Sequence, residues 1–168
     1  IKQCLVGSEM CIRDRQNPEA STGLASITKI MTSYIVADYL KQGFLNIKDS
    51  TTVSEKCWRM EGSRMFIQEG KKVLIEDLMR GMIIQSGNDA ACALAEHIAG
   101  TQEDFASLMN DYAQKMELKN TNFTNPTGLP NVNHYSTAED IAKLSIVLIN
   151  DFPDEYAIYS EKEFTYND

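Results

Sequence analysis

The sequence predicts an α+β protein in which most of the predicted elements are helices packed on one another. Apolar residues recur at helical spacing in five successive stretches between residues 26 and 148, and short β-prone runs lie at the margins of these stretches. The chain has 168 residues, 43% of them apolar, and a formal net charge of −8. These values are typical of one globular domain, or of part of one.

Composition argues against several kinds of partner. No stretch reaches the roughly 18 consecutive apolar residues of a membrane-spanning helix. The chain carries 16 Lys and Arg against 24 Asp and Glu, with no basic cluster, so we do not expect nucleic acid to bind. The two histidines, His97 and His134, and the four cysteines lack zinc-site spacing. We therefore expect no metal and no other cofactor.

The first two predicted helices carry clear apolar stripes. The first begins at Ser26 and runs for about fifteen residues toward a glycine, a residue common at helix ends. The second has its stripe between Leu74 and Ile83 and ends at Ser86-Gly87. Between the two helices lie a short β-prone run at 51–54 and an irregular stretch at 57–70.

Capping residues mark the starts of the other three helices. Asn88 or Asp89 caps the third, Thr101 caps the fourth, and the capping box Ser136–Glu139 opens the fifth. The tail Glu163–Tyr166 alternates like the start of a strand. Isolated strand fragments cannot pair their own edges. We therefore expect the chain to be a piece of a larger α+β domain, with helices shaped to pack on a sheet that it lacks.

The N-terminal segment Leu5–Arg15 resembles the translation of a transposase-type sequencing adapter. We expect residues 1–15 to be foreign and exclude them from the fold, and we assign residues 16–168 to the protein domain. The alternative is a natural N-terminal extension. Cys57 and Cys92 then remain, and each is predicted to be a small buried hydrophobic residue rather than a reactive thiol. The redox compartment stays open.

Ser26 and Lys29 place a hydroxyl and an amine on one face of the first helical turn. A lysine can activate a serine nucleophile if its amine is neutral part of the time, which requires burial or nearby dipoles to lower its pKa from about 10.4. About one such pair is expected by chance in a chain of this composition. The alternative is a capping serine followed by a solvated lysine.

A second polar element, Ser86-Gly87-Asn88, lies at the turn between two predicted helices. The serine could relay a proton, and the asparagine amide could hold both the lysine and a substrate carbonyl. The alternative is a glycine stop followed by a capping asparagine. Both polar elements lie at helix ends, and their joint occurrence favours a catalytic site.

The pair Ser26-x-x-Lys29 and Ser86-x-Asn88 resembles the first two of three signatures shared by penicillin-binding proteins and class A β-lactamases. From about residue 17 to the C-terminus, the chain is similar to the serine D-alanyl-D-alanine carboxypeptidases among the low-molecular-mass penicillin-binding proteins. The similar segments occur in family order at 24–32, 62–66, 85–90, 125–130 and 134–140. The second signature reads Ser-Gly-Asn, as in these carboxypeptidases, where class A β-lactamases usually carry Ser-Asp-Asn.

This resemblance implies the β-lactamase/DD-peptidase fold, mostly its helical subdomain, with most of the central antiparallel sheet missing. It implies that Ser26 attacks the D-Ala-D-Ala carbonyl of a peptidoglycan pentapeptide and that Lys29 accepts the serine proton. Ser86 would help return a proton to the leaving amine, and Asn88 would orient Lys29 and bind the substrate. β-Lactam antibiotics would acylate Ser26 as covalent inhibitors.

The departures from the family bear on activity. The third signature of the family, a Lys-Thr-Gly on a strand that would bind the substrate carboxylate and help form the oxyanion hole, does not occur. Pro126-Thr127-Gly128 begins without an amine and lies in a turn-rich loop. We therefore expect this chain to be inactive alone. The parent protein would act in the periplasm at the inner membrane, anchored by a C-terminal amphipathic helix. The alternatives are a class A-like β-lactamase and a non-catalytic cell-wall-binding homologue.

Overall fold

The computed structural model describes residues 19–166 as helices grouped around a buried first helix, with one small sheet. The regular elements are α1 (Lys29–Lys41), β1 (Ser50–Thr52), α2 (Glu55–Trp58), β2 (Lys72–Leu74), α3 (Ile75–Ile84), α4 (Asn88–Ala99), α5 (Gln102–Lys115), α6 (Ala138–Asp151) and α7 (Pro153–Ala157). A 3-10 turn, Ala25–Thr28, leads directly into α1, and another, Ile158–Ser160, follows α7. The prediction about residues 1–15 lies outside the described residues.

Helix α1 is the centre of the fold. Seven consecutive residues, Met31 to Ala37, are buried, so the helix is enclosed on all sides. It packs on α3, α4, α5 and α6. Val36 belongs to one apolar cluster, and Met31 and Ile35 belong to the other. The other helices therefore enclose α1, without the large sheet on which we expected it to pack.

Two predicted helix starts can be checked against their caps. Thr101 caps α5, since its Oγ1 accepts a hydrogen bond from Asp104 N at 3.0 Å, as predicted. The capping box predicted from Ser136 is displaced by one residue, because Thr137 is the N-cap of α6 and accepts from Asp140 N at 3.2 Å. The Ser136 hydroxyl instead lies 2.7 Å from the Thr121 hydroxyl. The hydroxyl that was predicted to cap the helix therefore binds a residue 15 positions earlier in the chain.

The start of α4 also differs from the prediction. Gly87 is the N-cap, and Asn88 is already the first helical residue. Neither Asn88 nor Asp89 caps this helix, because the side chain of Asn88 binds Lys29 and Glu61, and that of Asp89 binds backbone N–H groups at 65 and 67. These contacts with distant segments displace the local capping role.

The sheet consists of β1 and β2, which pair antiparallel with Thr51 opposite Val73. The β-prone run at 51–54 correctly predicted β1. Neither β2 nor α2 was predicted, because three- and four-residue elements are too short to show a period. The strand expected at 163–166 is wrong, since these residues belong to no strand.

Cys57 and Cys92 form a disulfide that joins α2 to α4. Both residues are buried and neither is a free thiol, as predicted, but their pairing with each other was not predicted. They are 35 positions apart in sequence, and such a separation carries no spacing signal. The bond fixes the start of the 59–67 loop to the helix that carries Asn88.

Within residues 19–166, no helix combines the length and the apolar character needed to cross a bilayer.

Candidate active site

Ser26 and Lys29 face each other across the junction between the 3-10 turn and α1. Lys29 Nζ lies 3.4 Å from Ser26 Oγ. Ser26 is exposed, whereas only 5% of Lys29 is exposed. The hydroxyl is therefore open to a substrate, and the amine behind it is largely removed from water.

The amine of Lys29 is held by two further oxygens. It donates hydrogen bonds to Asn88 Oδ1 at 2.7 Å and to the main-chain oxygen of Thr127 at 2.8 Å. Its partners among residues 19–166 include no carboxylate, so no negative charge stabilises the ammonium form directly. Burial lowers the pKa of Lys29 from 10.5 to about 8. At neutral pH, about one amine in ten is then unprotonated and able to accept a proton.

The backbone immediately before Ser26 is held in an unusual conformation. Ala25 has a φ of +44°, in the left-handed region that side chains disfavour. Gly128 packs against it so closely that a Cβ at 128 would overlap the Ala25 carbonyl oxygen. This contact requires glycine at 128. It keeps in place the turn that presents the Ser26 hydroxyl.

Asn88 is positioned by the loop before β2. Its backbone N–H donates to Ser63 O at 2.7 Å, and its side-chain Nδ2 donates to Glu61 O at 2.6 Å. A Cβ on Gly62 would lie 2.7 Å from Nδ2, so the loop passes close to the amide. These bonds direct Oδ1 of Asn88 toward Lys29. The structure thus brings together three of the predicted residues, Ser26, Lys29 and Asn88.

Ser86 precedes Asn88 on the same turn but makes no hydrogen bond to Ser26 or Lys29. Its φ is +57°, and its Oγ is buried without a hydrogen-bond partner among residues 19–166. A buried hydroxyl without a partner is uncommon in folded proteins, and strained backbone is often found at functional sites. Among residues 19–166, the hydrogen-bonding capacity of this hydroxyl is therefore unused.

The loop at 124–128 contacts the predicted site and was missed as part of it. Pro126-Thr127-Gly128 is not the third signature, yet its backbone binds α1: Thr127 O accepts from Lys29, and Pro126 O accepts from Thr32 Oγ1 at 2.7 Å. Asn125 Oδ1 shapes the loop by accepting from the backbone N–H groups of Thr127 and Gly128. Main-chain acceptors carry no residue-specific pattern, so this contact could not be predicted from the sequence.

Asp89 is a second residue that sequence reasoning missed. Its buried carboxylate accepts from Met65 N at 3.0 Å and from Ile67 N at 3.2 Å. These two groups flank Phe66, which has a φ of +64°. Asp89 therefore anchors the far end of the loop whose near end holds Asn88.

Comparison with known proteins identifies the family of the chain. The model of the D-alanyl-D-alanine carboxypeptidase family, peptidase S11, matches residues 12–168. The D-alanyl-D-alanine carboxypeptidase DacA of Haemophilus influenzae is 48% identical over 154 residues, which are 90% of this chain and 39% of that protein. The chain thus spans about two fifths of the length of this relative. The match begins inside Leu5–Arg15, and the foreign origin of that segment stays a prediction.

Solved structures give the same result for the fold. Penicillin binding protein 5 from Haemophilus influenzae superposes with a TM-score of 0.90 at 47% identity, over 92% of this chain and 46% of that one. Penicillin-Binding Protein D2 from Listeria monocytogenes, in its ampicillin bound form, gives 0.77 at 27% identity, over 87% of this chain and 59% of that one. The predicted fold class is confirmed. On the match over residues 12–168, the chain belongs to the D-alanyl-D-alanine carboxypeptidase family, peptidase S11.

Proposed function

We propose that this chain is the nucleophile-bearing part of a longer serine carboxypeptidase, one that removes the terminal D-alanine from the pentapeptide of peptidoglycan during cell-wall synthesis. The observation that carries the proposal is the exposed Ser26 hydroxyl 3.4 Å from a buried lysine amine. The names of relatives such as DacA support the same activity. Two facts support a longer parent enzyme: the Lys-Thr-Gly signature is missing, and the match covers only 39% of the length of DacA.

The reaction begins when Ser26 Oγ attacks the carbonyl carbon of the D-Ala-D-Ala amide and Lys29 Nζ takes the hydroxyl proton. The amide C–N bond breaks, and a proton passes through Ser86 to the nitrogen of the departing D-alanine. Ser26 is left as an ester of the shortened peptide. Water then hydrolyses this ester, which releases the peptide as a carboxylic acid and restores the Ser26 hydroxyl.

Asn88 serves both the base and the substrate. Its Oδ1 accepts from Lys29 and keeps the amine beside Ser26. Its Nδ2 carries two hydrogens, one of which points at Glu61 O. The second hydrogen can bind the amide oxygen of the substrate. The loop at 61–63 supports both roles, because it holds the side chain with Oδ1 toward Lys29.

β-Lactam antibiotics acylate Ser26 by the same attack on a strained amide. A structural neighbour with 27% identity has been solved in its ampicillin bound form, which supports this expectation. Rapid hydrolysis of this ester would make the protein a β-lactamase. That hydrolysis requires a water molecule held by a carboxylate. We find no segment in the sequence to assign to that role.

Release of D-alanine from a synthetic pentapeptide by the full-length protein tests the proposal. We expect release together with mass-spectrometric detection of a penicillin adduct on the peptide that contains Ser26. Sustained penicillin hydrolysis without D-alanine release would instead identify a β-lactamase. Wall binding without either reaction would identify a non-catalytic homologue, and an adduct on another residue would show that the nucleophile is wrongly assigned.

We also propose that the parent protein works outside the cytoplasm, anchored at the periplasmic face of the inner membrane. The Cys57–Cys92 disulfide supports this location, because such bonds persist mainly in oxidising compartments. Closing a loop of 35 residues stabilises a protein by about 3 to 4 kcal/mol in the chain-entropy model.

Peptide mapping without reductant should therefore recover Cys57 linked to Cys92 in protein taken from its native compartment. Reduction should lower the free energy of unfolding by about 3 kcal/mol. The variant with Cys57→Ala and Cys92→Ala is the control, because reductant should leave its stability unchanged. Recovery of both cysteines as alkylated free thiols would contradict the proposed location.

A further inference from the structure

The ring of His134 lies between the start of α1 and the loop at 124–128. It is 4% exposed. Its Nε2 is 2.7 Å from Thr28 Oγ1, and its Nδ1 is 3.0 Å from Thr124 N. No sequence motif predicted a function for this histidine. The ring connects two segments that both contact the proposed base.

The partners of the ring determine its tautomer. The Thr124 backbone N–H can only donate, so Nδ1 of His134 must be the acceptor. The ring proton is then on Nε2, which donates to Thr28 Oγ1. Both bonds together require a neutral ring. A protonated ring would direct a second N–H at the Thr124 N–H and would keep on that side only the longer contact, 3.2 Å, to Thr124 Oγ1.

These bonds lead directly to Lys29. Thr28 lies between Ser26 and Lys29 and is fully buried. On the other side, Thr124 begins the loop whose Thr127 oxygen accepts from Lys29 Nζ at 2.8 Å. The neutral ring therefore joins the turn that carries the nucleophile to the loop that holds the base.

We propose that His134 is a positioning residue for the serine–lysine pair and that its protonation releases the 124–128 loop and reduces acylation of Ser26. The inference rests on the proposed function, because acylation is its readout. Neutral His134 keeps Thr127 O on Lys29. Protonated His134 loses the bond to Thr124 N, and Lys29 loses one of the groups that hold it beside Ser26.

The surroundings of the ring determine the direction of its pH response. Its side-chain contacts are Thr28, Thr124 and the edge of Phe123, whose centroid is 5.8 Å away; none of these is charged at neutral pH. The ring also borders a cavity of about 510 Å³ lined by no charged side chain of the described residues. Lys29 is the charged group to which the ring is linked through Thr28 and the 124–128 loop. Burial lowers the pKa of His134 below its usual 6.5, so protonation occurs only in acid.

The test is the pH dependence of Ser26 acylation by a fluorescent penicillin in the full-length protein between pH 4.5 and 8. With Lys29 as the only titrating group, the rate falls about tenfold per pH unit below pH 8. We expect the wild type to follow this slope to about pH 6.5 and to fall more steeply in acid. One pH unit below the pKa of the ring, the wild type should be about tenfold slower than the one-proton slope predicts.

His134→Gln should keep the one-proton slope throughout, because glutamine can donate to Thr28 and accept from Thr124 but does not titrate. His134→Leu should be slower at every pH, by about 10- to 100-fold, since it restores neither bond. His97→Gln is the matched control, because His97 is exposed on α4, and its slope should equal that of the wild type. Nitrogen chemical shifts should also show the neutral Nε2–H tautomer of His134 at pH 7.

A wild-type slope identical to that of His134→Gln would overturn the inference, and so would a His134→Leu variant as fast as the wild type. If the variants fail to fold, a cationic ring or an Nδ1–H tautomer at pH 7 in the wild type would overturn it. These outcomes leave acylation of wild-type Ser26 intact. Absence of any wild-type acylation would instead reject the proposed function, and this inference with it.

Discussion

Ser26→Ala should leave the full-length protein unlabelled by fluorescent penicillin, because the acyl group has no other oxygen to join at that position. Lys29→Met should slow labelling by about 10² to 10⁴, the usual contribution of a general base. The Lys29 amine lies 3.4 Å from the hydroxyl and is therefore placed to accept its proton. Lys71→Met is the matched control, since Lys71 is exposed and its loss should leave the labelling rate unchanged.

The lowered pKa of Lys29 also makes stability depend on pH. Between pH 8 and pH 10.5 the unfolded chain holds a proton on this amine that the folded chain has lost. The free energy of unfolding of the wild type should therefore rise with pH across this window. The rise relative to Lys29→Met is about 3 kcal/mol, at about 1.4 kcal/mol for each tenfold change in the dissociation constant.

Denaturant unfolding of both proteins at pH 8 and at pH 10.5 measures this difference. Below pH 8 the amine is protonated in both states, so the difference between wild type and variant should be constant. A flat difference across the whole range would show that the amine keeps its ordinary pKa in the fold.

For the labelling experiment, labelling that survives Ser26→Ala would show that the nucleophile lies elsewhere.

Local signals explain why the larger helices could be predicted. The stripes of α3 and α5 and the cap at Thr101 depend on residues within a few positions of one another. The same applies to Ser26 and Lys29, which are one turn apart. Asn88 could be predicted as a site residue because its signature lies at a helix terminus. The resemblance to the family then predicted that Asn88 contacts Lys29, which is 59 positions away.

The residues that support the site could not be found in this way. Thr127 contributes a main-chain oxygen 98 positions from Lys29, and any residue type could supply that atom. His134 lies 106 positions from Thr28, and a single buried histidine has no periodic signal. Cys57 and Cys92 pair because α2 packs on α4, and α2 itself was too short to predict. These contacts depend on tertiary packing, and the local sequence does not encode them.

Residues 16–168 alone should not release D-alanine from D-Ala-D-Ala peptides. The serine–lysine pair is assembled in this part of the chain, so the expected loss does not arise from the nucleophile. It arises from the missing Lys-Thr-Gly signature. Without that strand, the substrate carboxylate has no cationic partner. The loss of one oxyanion donor costs about 10² to 10³ in rate elsewhere.

The enclosed position of α1 allows this loss to be separated from unfolding. Met31 and Ile35 are fully buried among the described helices, so we expect the helical signal in far-UV circular dichroism to be kept. Ile27 and Ile146 are about half exposed, at 50% and 51%, which favours association of the isolated piece. The experiment compares D-alanine release from diacetyl-lysyl-D-Ala-D-Ala by residues 16–168 and by the full-length protein, with full-length Ser26→Ala as the background. Release close to that of the full-length protein would contradict the prediction and would mean that the Lys-Thr-Gly strand is dispensable for turnover.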